Sequence, residues 1–316
     1  MLLSRAADGL YWIARYLERA EHTARLIEVG LDLGLGRPVA TTRGAADRLY
    51  GSLGLSEVMQ GPSARASLVA AALFDPSNRN SVASCVRAAR ENGRQVREEI
   101  SSDMWEQLNA LFLAVRHINA DPVGGSQPRS ICRTVIAGIH LFQGITDATM
   151  GHGEGWQYLQ AGRFIERASS TAAVIDAFVA DQAMAEGARL EQIDWVALLR
   201  SCSALEAYCR YYTADVRPER VTEFLLLSAD FPRSVRFATS RIESALLALA
   251  RVTGRGGRAD RLVGRLHSSL DYGQVDEILN DDPRAYLAGI SSQCSLIHTA
   301  LHESYVAYPI ESAIPA

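Results

Sequence analysis

Residues 12–28 read WIARYLERAEHTARLIE, and residues 160–176 read QAGRFIERASSTAAVID. Aligned without gaps, about 148 positions apart, Arg15 falls on Arg163, Tyr16 on Phe164, Leu17 on Ile165, Glu18 on Glu166 and Arg19 on Arg167. Ala20 falls on Ala168 and Thr23 on Thr171. Successive helical residues turn by about 100°. Tyr11, Arg15, Glu18 and His22 therefore share one face of the first copy, and Arg163, Glu166 and Ser170 share the matching face of the second. Arg19 and Arg167 point to the side of each pair. One such face alone reads as a solvated salt-bridge surface, worth a few tenths of a kcal/mol per pair. Two copies flanked by Tyr11, Trp12, Tyr16 and Phe164 point instead to a covered face. Two crossing helices of this kind would pair Arg15 with Glu166 and Arg163 with Glu18. Removing one partner of a buried pair costs about 3–5 kcal/mol. Whether such a network is structural or ligand-binding stays open, because both need the same residues. A fainter third copy, DFPRSVRFATSRIESAL at 230–246, keeps Ile242 and Glu243 in register but lacks the Glu-Arg pair.

No stretch shows sustained period-two alternation, and no Asn-Gly hairpin turn joins two such stretches, so strands are not expected. In the first segment, Leu10, Ile13, Leu17, Ala20, Ala24, Ile27 and Leu31 recur at spacings of three and four, which predicts a helix from Ser4 to Leu33 with Ser4 as its cap. Gly34, Gly36 and Pro38 end it. Further helices are expected over about 46–59, 64–74, 81–120, 129–150, 156–186, 190–213, 218–227, 232–252 and 283–307. Pro218, Pro232 and Pro283 suit a first helical turn, where the missing N–H costs nothing. The expected fold is all-α: one domain over 1–316, an elongated helical bundle with pseudo-symmetric halves of about 1–150 and 151–316, and a loosely ordered tail after 308.

A net charge of -4 and a pI near 6.0 argue against a nucleic-acid-binding surface. Five scattered cysteines without a CxxC pair argue against a disulfide framework or a zinc ribbon, and predict reduced thiols in a cytoplasm. No run of about 18 apolar residues predicts a membrane helix. Arg5, Asp8 and Arg15 interrupt the first twenty residues, unlike the apolar core of a signal peptide.

Arg87, Arg90, Arg94 and Arg97 form a stripe beside the apolar face of the 81–120 segment. They either pair with Glu91, Glu98 and Glu99 or offer a surface to an anion or a partner. His298 and His302 have the spacing of two zinc ligands on a helix, but a third ligand is missing nearby. Glu18 and His22 are not matched by a second Glu-x-x-His, as a di-iron bundle requires. His152 and Glu154 sit in a Gly-rich elbow that reads as a helix connection. The loop Gly254-Arg255-Gly256-Gly257-Arg258 follows no strand and reads as solvent-facing. Dinucleotide fingerprints, phosphate loops and nucleophile elbows are absent, so neither a metal nor a cofactor is expected.

Four stretches carry a resemblance: LSRAADGLYWIARYLERAEHTARL at 3–26, NRNSVASCVRAARENGRQVREEIS at 78–101, MGHGEGWQYLQAGRFIERASSTA at 150–172 and FLLLSADFPRSVRF at 224–237. In these residues the chain resembles the alpha-E family of helical bacterial proteins, named for a Glu-Arg signature. Ala14 departs from the glycine more usual before the arginine, which Gly162 keeps. The resemblance implies partners more than chemistry: a circularly permuted ATP-grasp ligase-like protein, with transglutaminase-like or proteasome-like peptidases nearby. It thus implies a helical partner or co-catalytic protein in the making or processing of an amide-linked product. Arg15, Glu18, Arg19, Arg163, Glu166 and Arg167 would form its charged centre, with no assigned catalytic residue. A self-sufficient enzyme using Glu18 or Glu166 as general acid/base, and a scaffold without a small-molecule site, are the alternatives.

Overall fold

The computed structural model describes residues 2–33, 39–54, 64–120, 128–184, 190–254 and 256–306. Among these residues the chain forms fourteen α-helices and no strand, as the periodicity predicts. The tail after 308 and part of the expected 46–59 helix lie outside the described residues.

The first helix, α1 (Ser4–Leu33), sits at the centre. It packs against α7 (Glu154–Met184), α4 (Val82–Gln95), α6 (Pro128–Thr149) and α2 (Val39–Gly51). Small residues make this possible. Ala6, Ala7, Ala20 and Ala24 are buried and let neighbours approach closely. Leu10, Tyr11, Ile13, Leu26 and Ile27 fill the spaces between them and are fully enclosed. The charged face is therefore covered too, with Glu18 buried and Arg15 half-buried, because helices pack on several sides of α1. Ser4 is already helical, and the Leu3 carbonyl accepts the Ala6 and Ala7 amides in the role expected of a cap.

The second long helix, α7, lies against α1 and also contacts α11 (Val235–Thr253) and α14 (Pro283–Leu301). Gly162 marks the closest approach. A Cβ there would overlap the backbone carbonyl oxygen of Tyr11 and stand 3.3 Å from the Arg15 Cγ. Ala14, at the equivalent place in the first copy, is buried with its methyl group in place. The two copies thus meet through unequal contacts.

Four expected elements differ. The helix expected over 46–59 is α2, which starts earlier, at Val39, and ends at Gly51, with residues 52–54 in a turn. The 81–120 segment is a hairpin: Val96 leaves the helix at φ -119°, a 3-10 turn covers Arg97–Glu99, and α5 (Ser102–Ala120) returns along α4. Burial drives the break, because Val96 packs onto Gly9 and Leu108 onto Gly93. The 190–213 segment divides into α8 (Gln192–Ser201) and α9 (Leu205–Tyr212), with Ser203 at φ 51° between them. The 232–252 helix begins later. Ser234 caps α11 by accepting the Phe237 amide at 3.0 Å, which leaves Pro232 in the preceding turn.

The remaining helices are α3 (Ala64–Leu73), α10 (Pro218–Leu227), α12 (Arg258–Asp271) and α13 (Val275–Asn280). Periodicity did not predict α12 and α13. Pro218 and Pro283 do open their helices. α11 ends at Gly254, whose φ of 68° suits glycine. All five cysteines are free thiols, and none of the described helices is long and apolar enough to cross a membrane.

The Gly162 contact yields the first prediction. Gly162→Ala lowers stability in urea unfolding, since overpacking costs about 1–3 kcal/mol and outweighs alanine's helix advantage of about 1 kcal/mol. Gly144→Ala on α6, where a Cβ meets nothing within 4 Å, raises stability in the same experiment.

Candidate functional site

Six arginines and three glutamates meet where α1 crosses α7. Glu166 on α7 receives two arginines from α1. Arg15 Nε donates to it at 2.8 Å, and Arg19 Nε at 2.6 Å. Glu18 on α1 receives Arg167 in bidentate fashion, through Nε at 2.6 Å and Nη2 at 2.8 Å. The Arg15–Glu166 pair joins as the repeat suggests. Glu18 differs: its close partner is Arg167, and Arg163 stays 3.7 Å away. Arg19 and Arg167, expected to point aside, make the shortest contacts with these glutamates.

A second layer extends the network. Glu21, fully buried, pairs with Arg25 at 2.6 Å, with His140 of α6 at 2.8 Å and with Arg233. Arg233 stands just before α11 and also lies 3.6 Å from Glu18. Arg167 Nη1 donates to the Pro232 carbonyl at 3.1 Å, and Thr171 Oγ1 donates to that of Arg233 at 3.3 Å. These bonds fix the turn that carries Arg233. Glu21, Arg25, His140 and Arg233 were not singled out from sequence. Two signals pointed there: Glu21 follows Glu18 by three residues, and Arg233 lies in the faint third copy of the repeat.

The electrostatics follow from burial against pairing. Burial pushes Glu18 upward, but Arg167 and Arg233 prevail over it and over the neighbouring Glu21, and hold it below the usual carboxylate range. Burial likewise opposes ionisation of Glu166, and Arg15 and Arg19 outweigh it. Glu21 is held well below its ordinary value against the same penalty, by Arg233, His140 and Arg25. Arg163 goes the other way. Burial and the Arg167 charge lower it to about 10, with only partial relief from Glu18. Its Nε has no hydrogen-bond partner among the described residues, and its Nη2 donates to Gln143 at 2.8 Å. Arg163 is the under-compensated cation of the cluster.

Arg163 opens onto a cavity of about 580 Å³ between α6, α7 and the start of α11, within the range of small-molecule sites. Phe142, Trp156, Phe164 and Phe237 supply its apolar walls, and Gln143, Gln160 and Thr146 its neutral polar groups. Three guanidinium groups surround the Phe164 ring: Arg167 at 5.1 Å, Arg163 at 5.3 Å and Arg241 at 6.0 Å from its centre. Arg241 is exposed at the rim.

The family model for Alpha-E, described as "a predicted alpha-helical domain with a conserved ER motif", matches residues 2–306. The chain belongs to the Alpha-E family. The Glu-Arg pairs of this Alpha-E chain, Glu18-Arg19 and Glu166-Arg167, are the residues exchanged between α1 and α7. It is 26% identical to an uncharacterized protein of Mycobacterium bovis and 26% identical to one of Mycobacterium tuberculosis. Each match covers 95% of this chain and 36% of the relative, so the chain spans about a third of the length of these curated relatives. No solved structure matches it significantly.

The other singled-out residues lie apart from this centre. Arg87, Arg90 and Arg94 are on α4, whereas Arg97 is in the 3-10 turn, so the four do not form one helical stripe. Arg90 donates to Asn109 at 2.9 Å and Glu91 at 2.7 Å, and its guanidinium lies 4.7 Å from the centre of the Phe112 ring. Arg94 shares Glu91 at 3.0 Å, Arg87 donates to Ser84, and Arg97 caps the Ile100 carbonyl. Local partners thus occupy the stripe. On α14, the His298 Nδ1 meets the Tyr11 hydroxyl at 2.7 Å, and the His302 Nδ1 lies 3.6 Å from Asp8. Arg15 Nη1 also donates to that hydroxyl, at 3.3 Å, which ties this corner to the network. His152 stacks on Trp156 at 3.9 Å. Glu154 accepts the Leu2 amide and fastens the start of α7 to the start of α1.

The contrast between two neighbouring arginines is testable. Arg167→Met strands Glu18 in the interior and costs about 3–5 kcal/mol. Arg163→Met removes a cation that burial and Arg167 disfavour, so chemical denaturation finds stability unchanged or higher. An equal loss for both contradicts the assignment.

Acid titration supplies a further check. His22 is lowered from 6.5 to about 4 by burial and by Arg233, while Glu18 opposes the shift. A folded-state value below the unfolded one means that the unfolded chain binds protons first. Stability is then complete above pH 6.5 and falls as pH drops from 6.5 toward 4. Glu18, Glu21 and Glu166, all depressed from 4.5, extend the loss below pH 4.5. Thermal melts from pH 7.5 to 4 show this decline, and His22→Gln flattens its upper part.

Proposed function

We propose that this Alpha-E chain is a ligand-binding partner protein. Its α6–α7–α11 cavity holds the carboxylate of an anionic peptide or metabolite for an ATP-grasp-type amide ligase system. The observation that carries the reading is Arg163: a partly buried guanidinium whose nearest carboxylate, Glu18, stands 3.7 Å off and is taken up by Arg167, beside a largely apolar cavity and backed by an arginine excess. Burying an unmatched cation is costly. A carboxylate arriving at Arg163 supplies a closer counter-charge than Glu18 does and makes charge-assisted hydrogen bonds, the strong kind. Gln143 already orients the guanidinium from one side. The network behind it fixes α7 against α1 and keeps Arg167 occupied, leaving Arg163 to the ligand.

Binding is favoured over self-sufficient acid/base catalysis by the state of the glutamates. A general acid/base needs an accessible carboxyl group whose pKa lies near the working pH. Glu18 and Glu166 are buried, saturated by arginines and held ionised. The ligase association rests on the family resemblance. The greater length of the curated relatives, in which this region is about a third of the chain, is consistent with work alongside other domains.

Two measurements test the reading. Calorimetric titration with glycyl-phenylalanine shows binding, whereas its C-terminal amide and the folded Arg163→Gln variant lose about tenfold or more in affinity, the size of one charge-assisted contact. Equal binding of acid and amide rejects the carboxylate site. Adding the chain to an ATP-grasp-type ligase from the same organism raises peptide-dependent ATP turnover, and Arg163→Gln does not. Turnover indifferent to the chain rejects the partnership.

A further inference from the structure

The cavity has a second polar end. α6 lines it with His140, Gln143, Gly144 and Asp147, spaced three and four apart and therefore on one helical face. Gln143 marks the Arg163 end, since its side-chain oxygen accepts from Arg163 Nη2 at 2.8 Å. Asp147 lies one turn further along, a rise of about 5–6 Å. It is the only carboxylate among the residues lining the cavity. It is exposed, and no ion pair or hydrogen bond engages it among the described residues. Glu18, Glu21 and Glu166 at the α1–α7 crossing are all tied to arginine. The cavity thus presents Arg163, short of a close counter-charge, and Asp147, free of an ion pair, with Arg241 at the rim and Trp156, Phe164 and Phe237 around them.

Such a layout suits one class of ligand. A phosphate or a dicarboxylate would satisfy Arg163 and leave Asp147 without a counter-charge. A free amino acid carries its charges on either side of a single Cα, too close together to reach both ends. Two extended residues span about 7 Å, which matches one helical turn plus contact. We propose that the cavity binds a zwitterionic dipeptide: its carboxylate on Arg163, its ammonium on Asp147 and an apolar side chain against Trp156, Phe164 and Phe237. This deepens the carboxylate-site reading above and rests on it. It adds recognition of a free amino terminus, so peptides blocked at either end bind more weakly.

The test compares glycyl-phenylalanine with N-acetyl-glycyl-phenylalanine by calorimetry at pH 7 and fixed ionic strength, on the native chain, Asp147→Asn and Arg163→Gln. Asp147 is exposed, so Asp147→Asn is expected to keep the native melting temperature. N-acetylation weakens binding to the native chain by about tenfold, one charge-assisted contact. Asp147→Asn weakens the free dipeptide by a similar factor and leaves the acetylated one unchanged or tighter, so the two effects do not add. If the acetylated and free dipeptides bind the native chain equally well, or Asp147→Asn has no effect, the inference is overturned. The carboxylate site still stands in that case, provided Arg163→Gln weakens binding by about tenfold or more. If neither dipeptide binds the native chain, both readings fall together.

Discussion

The reciprocal exchange of arginine and glutamate between α1 and α7 sets the rest of the structure. Each helix offers one buried carboxylate and accepts the other's cations: Glu166 takes Arg15 and Arg19, and Glu18 takes Arg167. Neither helix can leave the crossing without stranding charge in an apolar interior, where pairing is the only compensation. The crossing must also be close, and Gly162 against the Tyr11 backbone makes it so. Once it is fixed, α4, α6 and α2 close around α1, and α11 and α14 close against α7. The turn before α11 is held by Arg167 through the Pro232 carbonyl.

An ion network of this kind is an expensive way to join two helices. Leucine and alanine would pack the same crossing without desolvating charge, and hydrophobic replacements of buried ion pairs are often neutral or stabilising. What the charges provide is direction. They fix the register of α1 on α7, and their excess of arginine leaves one guanidinium turned toward a cavity. Arg163 and Arg167 are four residues apart on one helix, yet one is saturated and the other is not. That difference turns a structural contact into a site that can receive an anion.

Much of this was legible in the sequence. The matched Arg-x-x-Glu-Arg segments named the residues of the crossing, and the flanking aromatics marked them as covered. The periodicity placed α1, α6, α7 and α10 nearly to the residue. It failed where a turn interrupts an apolar pattern without breaking it. Val96 and Ile100 continue the α4 stripe in sequence while the backbone turns between them, because both are buried on either side of a hairpin. The pseudo-symmetry of the repeat also reached less far than the signature suggests. Glu21 and His22 have Ser169 and Ser170 at the equivalent places in α7, so the carboxylate of the second layer comes from α1 alone.

The sequence by itself determined the all-helical class, the two helices at the centre and the charged residues that join them, since period and residue type are local properties of a chain. Which arginine meets which glutamate was decided only in three dimensions. Helical geometry puts Arg163 and Arg167 on neighbouring faces, and only the crossing angle and offset of α1 on α7 give Glu18 to Arg167. The contribution of Arg233, from a turn more than two hundred residues beyond Glu21, depends on how α11 docks. The cavity has the same origin. Its walls come from α1, α6, α7 and α11, and no single segment carries the pattern of a binding site.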